Sequence, residues 1–74
     1  MTTDSDIRFT LDDGYEYVMS VANGVILVDV LDEGAYADCF TAELRDLDTN
    51  PRIQWDSPKP PAAVQDAVRG RLLG

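Results

Sequence analysis

Between Tyr15 and Leu31 apolar and polar side chains alternate on both sides of an Asn-Gly pair, the pattern of a β-hairpin. A type I′ turn needs positive φ at both central residues, and Asn23-Gly24 supplies this at little cost. The two-residue loop sets Ala22 opposite Val25, Val21 opposite Ile26, Met19 opposite Val28 and Tyr17 opposite Val30. Because strand side chains alternate between faces, all but the first of these pairs share one face, which is expected to be core. The preceding run Ile7, Phe9, Leu11 joins that face only if Asp12-Asp13-Gly14 forms a three-residue loop with Gly14 left-handed. A two-residue turn at Asp13-Gly14 sends the run to the opposite face. The expected strands are about Asp6 to Leu11, Tyr15 to Ala22 and Val25 to Leu31.

The third strand carries a second apolar row. Val25, Leu27 and Leu31 lie on its other face around Asp29, beside Val18 and Ala22 of the second strand. An antiparallel sheet with one face in water normally alternates cleanly, so the ribbon from Val25 to Leu31 is expected to be shielded front and back, by this chain or by another. A C-terminal helix at about Pro60 to Leu73 is one cover. Prolines suit its first turn, and Pro61, Val64, Val68 and Leu72 fall on one stripe.

Ala35 to Leu47 reads two ways. As a helix it aligns Tyr36, Cys39, Phe40, Leu44 and Leu47, with Glu43 awkwardly inside the stripe. As a strand it alternates Phe40, Ala42, Leu44 against Thr41, Glu43, Arg45 and pairs with Arg52 to Trp55 through a turn around Asp48 to Pro51. Local propensity favours the helix narrowly. The fold class is therefore α+β: a small antiparallel β-meander of three to five strands packed with a C-terminal helix, and with a second helix at about 35–47 on the favoured reading. If that stretch is a strand, one sheet face is left seeking a partner chain.

At 74 residues the chain is a single domain, 1–74, and so short a chain buries little surface beyond what ordering it costs. Charge sharpens the picture. Eleven Asp and three Glu stand against five Arg and Lys59, with no His, for a net charge of -8. A field of that sign repels phosphates, so neither nucleic acid nor an anionic membrane surface is an expected partner. Scarcity of Lys and excess of Asp resemble the cytosolic proteins of salt-accumulating haloarchaea, and a halophilic source is the expectation; a GC-rich genome gives a similar bias. Met1 to Asp6 is polar with no apolar h-region, and the run Val25 to Val28 is too short to span a bilayer. Lone Cys39 excludes an intrachain disulfide and fits a reducing compartment, so a cytoplasmic location is expected.

Candidate chemistry is sparse. Asp46, Asp48 and Asn50 have the first spacings of a calcium loop, but Pro51 and Ser57 stand where its glycine and its bidentate glutamate belong. Asp12-Asp13 and Asp32-Glu33 read as solvated turns, not as a catalytic pair. Cys39 has no His to activate it and reads as a small core residue, and Pro58 to Pro61 reads as a helix entry. Neither a metal, a cofactor nor an enzymatic activity is expected. The expected function is a non-catalytic protein–protein interaction module that binds a partner protein or a second copy as a homodimer. Val18, Leu27, Asp29, Leu31 and Trp55 form the candidate surface. A nucleic-acid mimic that presents carboxylates as phosphates to a DNA-binding protein is the alternative.

Overall fold

A computed structural model describes residues 6–73, so the polar stretch at Met1 to Ser5 lies outside the described residues. The chain is α+β, with five strands followed by one helix: β1 (Ile7–Thr10), β2 (Glu16–Ala22), β3 (Val25–Asp32), β4 (Ala35–Arg45), β5 (Arg52–Trp55) and α1 (Ala62–Leu73). The strands form one antiparallel sheet in the order β1-β2-β3-β4-β5.

Loop chemistry sets the registers. Asn23 (φ 54°) and Gly24 (φ 77°) make the two-residue turn, with Met19 opposite Val28 and Tyr17 opposite Val30 as their spacing requires. Gly14 (φ 88°) closes a three-residue loop in which its N–H donates to the Leu11 carbonyl at 3.1 Å, and Ile7 falls opposite Met19, Phe9 opposite Tyr17. A side chain at Gly14 is disfavoured by that φ, so this glycine is what keeps Phe9 facing the core.

The stretch expected to prefer a helix, Ala35 to Leu47, is instead β4 over Ala35–Arg45. Glu33 (φ 53°) and Gly34 turn the chain directly back on β3, so β4 supplies partners for a whole row of β3 backbone groups that a helix would leave as a bare edge. Pairing across the sheet overrides the helix propensity of Ala, Glu, Leu and Arg here. As a strand the stretch also resolves the misplaced Glu43, which moves to the face opposite Ala42 and Leu44.

The core lies between the sheet and α1. Met19, Ile26, Val28, Ala42, Val64 and Val68 are fully buried, and Leu44, Ile53, Trp55, Ala67 and Leu72 pack around them. The helix begins at Ala62, two residues later than its proline entry suggested, with the Pro61 carbonyl accepting Val64 N–H at 3.0 Å and the Gln65 side chain donating to the Pro60 carbonyl at 2.8 Å. At its far end the Arg71 guanidinium lies 4.4 Å from the centre of the Phe9 ring, which stacks on Tyr17 at 5.3 Å.

The buried Tyr17 hydroxyl donates to the Asp13 carboxylate at 2.5 Å, and Asp13 also accepts the Tyr15 N–H at 2.9 Å. Both bonds hold the Asp13 carboxyl below its ordinary value, while burial first and the hydrogen bond to Asp13 second push Tyr17 up to about 12. An unfolded tyrosine ionises near pH 10, so the contribution of this neutral hydroxyl is complete below that value and is lost as pH rises through about 12. Tyr17→Phe is expected to cost about 1 kcal/mol at neutral pH and to flatten the fall in stability between about pH 10 and 12. Urea titrations at neutral and alkaline pH check this, and an unchanged alkaline slope in the variant would contradict it.

Candidate interaction surface

Because α1 lies on one side of the sheet, the strand positions of opposite parity form a second face with no cover from the described chain. Ribbon Val25 to Leu31 is therefore shielded on one side only: Val28 and Val30 are buried, while Val25 is 47% and Leu27 38% exposed and Leu31 is half-buried. Of the two expected ways of shielding both faces, closure by this chain alone is corrected here. The loss of the second helix is the physical reason, since the residues that would have covered this face were used to widen the sheet.

Sheet register assembles the surface. Leu27, Asp29 and Leu31 follow one another at every second position of β3, and Val18 sits directly across from Asp29 on β2. On the β4 side Thr41 faces Leu27, Cys39 faces Asp29 and Tyr36 faces Leu31. A bulge between the Val30–Asp38 and Leu31–Tyr36 pairs inserts Ala37 and turns Tyr36, 68% exposed, onto this face. Four of the five candidate residues, Val18, Leu27, Asp29 and Leu31, thus lie together. Trp55 does not: it is half-buried against the core on the helix side, where it lines a groove of about 160 Å³ with Ile53, Gln65 and Arg69. Its pairing with Ala42 fixes that side, since Ala42 is a core-facing position.

Asp29 lies on the central strand, half-buried on the uncovered face. Its carboxylate sits beside the Cys39 thiol, and burial first, then hydrogen bonding to the Asp29 carboxylate and its charge, raise that thiol above its ordinary value. A thiol held in the protonated form is a poor nucleophile. Tyr36 is likewise raised, by burial and by the Cys39 and Asp29 neighbours.

Around this centre the charges are paired. Arg8 meets Glu16 at 2.9 Å across β1 and β2, Arg45 meets Glu43 at 2.5 Å on β4, and Arg52 meets Asp46 at 2.8 Å beyond β5. These exposed pairs add little to stability, but they leave a rim of both signs around an apolar middle. Three arginines stand against five carboxylates once Asp29 and Asp56 are included, the latter accepting the Thr41 hydroxyl at 2.7 Å, two negative charges on a molecule that carries -8.

Val25, Tyr36, Cys39 and Thr41 belong to the surface but not to the candidate set. Val25 was legible from its parity with Leu27, whereas Tyr36 and Cys39 were obscured by the helical stripe. A separate pocket of about 280 Å³ opens beside the core, lined by Asp13, Tyr15, Tyr17, Asp38, Phe40 and Pro61 among others. No helix among the described residues is long and apolar enough to cross a membrane. Compared with known proteins, the chain matches no family model, no curated protein and no solved structure.

Proposed function

We propose that this chain is a non-catalytic protein–protein interaction module of a reducing, salt-rich cytoplasm, and that it works through the sheet face opposite α1. The observation that carries this reading is the contiguous row of Val18, Val25, Leu27, Leu31 and Tyr36 on a face the helix does not reach. Apolar rows of this kind on a soluble protomer mark association surfaces, and the mixed-charge rim is the usual surround of an interface centre.

The carboxylates support salt adaptation over phosphate mimicry. Asp12, Asp13 and Glu33 sit in loops, and Asp32 ends β3, at one end of the meander, Asp46 and Asp48 lie in the loop at the other, Glu16, Asp29 and Glu43 on the uncovered face with Asp56 bonded to Thr41 at its edge, and Asp66 on the helix. A phosphate mimic needs them in a row along one face.

A photoreactive amino acid at position 27 tests the reading in living cells. Discrete cross-linked protein products are expected from position 27 and none from position 66 on the far side of α1. Diffuse or absent products from position 27 would count against a protein-binding face.

A further inference from the structure

Resting on the association reading above, we propose that the occupant of the uncovered face is a second copy of this chain, giving an isologous twofold dimer of two helix-backed sheets with β3 packed on β3. Three observations lead there. First, charge: the face and its rim carry three arginines and five carboxylates, a net of -2, so most of the charge of -8 lies away from the contact and its repulsion is open to screening by salt. Both rims, Arg8–Glu16 on one side and Glu43–Arg45 with Arg52–Asp46 on the other, hold both signs. A copy turned about a twofold axis therefore always offers each rim an opposite charge.

Second, area: five strands about 4.8 Å apart and about seven residues long present a face on the order of 500–600 Å². Two such faces bury on the order of 1,000–1,200 Å², the lower limit of a specific interface. Third, layering: the described residues form one sheet and one helix, and face-to-face packing at about 10 Å turns this into a four-layer particle with β3 enclosed on both sides. The need for cover that the sequence places on Val25 to Leu31 is then met.

Symmetry gives the arrangement a signature. Asp29 is the one carboxylate at the centre of the face without an arginine partner, and in a dimer with β3 on β3 it approaches its own copy across the axis. Removing that charge tightens a symmetric dimer. A partner that met Asp29 with a cation would be lost by the same change.

The test is sedimentation equilibrium of the purified full chain between about 1 μM and about 1 mM, in about 2 M and about 0.05 M potassium chloride. A monomer–dimer equilibrium that stops at two is expected, with a Kd at least about tenfold lower at high salt as the outer charges are screened. Leu27→Asp is expected to weaken it by about a hundredfold or more, since a charge is then buried at the centre of the face. Asp29→Asn is expected to tighten it by about tenfold, the scale of one removed like-charge contact. Leu47→Asp, at a more exposed leucine in the β4–β5 loop, leaves it unchanged. Circular dichroism checks that each variant is folded; should Leu27→Asp not fold, the wild-type and Asp29→Asn titrations decide alone. A monomer at every concentration, or loosening by Asp29→Asn, overturns the proposal. If a monomer still gives discrete products with another protein from position 27, only the second copy is excluded; if it gives none, the association reading falls with it.

Discussion

Val68→Asp is expected to cost more than about 4 kcal/mol and to leave the chain largely unfolded, because a carboxylate is forced into a fully buried apolar site. Val68 and Val64 are both fully buried beneath α1 against the sheet. A domain of this size has on the order of 4–11 kcal/mol of stability to lose, and a small core places it toward the lower end. Far-ultraviolet dichroism should lose its helical signal, and Trp55, packed at the edge of the same core, should report the collapse by fluorescence. The same change at Leu27 is expected to cost about 1 kcal/mol or less in the monomer, since that side chain is already 38% exposed. Urea titrations of both variants at dilute protein concentration separate the two faces. Equal costs would mean that α1 is not the principal cover of the sheet.

That asymmetry between faces was half legible in the sequence. Asn23-Gly24 and the three-residue loop at Gly14 specify turns narrow in φ, and a turn that fixes loop length also fixes register, so β1 to β3 and their shared core face follow from local chemistry. Ala35 to Arg45 was not fixed in this way. Its residues tolerate a helix, and what makes them a strand is the row of open hydrogen-bonding groups on β3, a demand set by another segment. The bulge at Ala37 has no sequence signal that we can identify, yet it decides that Tyr36 joins the exposed face. Trp55 is a surface candidate only if exposed, and its register opposite Ala42 assigns it to the core side instead. Val18, Leu27, Asp29 and Leu31 were legible together because parity along two registered strands needs no tertiary information.

Cys39 offers the most direct measurement on that face. It lies opposite Asp29 at the centre of the surface, half-buried in the protomer and without a disulfide partner. Its raised thiol slows labelling relative to an ordinary cysteine, so rates are compared at one fixed near-neutral pH, below the range in which Tyr17 begins to destabilise the fold. The rate at which a maleimide reagent modifies Cys39 should be measured in high salt as protein concentration is increased. With the face buried between two copies, the rate is expected to fall by about tenfold or more in step with the fraction of dimer, and Leu27→Asp should restore fast labelling at every concentration. A rate that stays the same from dilute monomer to the most concentrated sample, while sedimentation reports a dimer, would place the contact elsewhere and leave this sheet face bare.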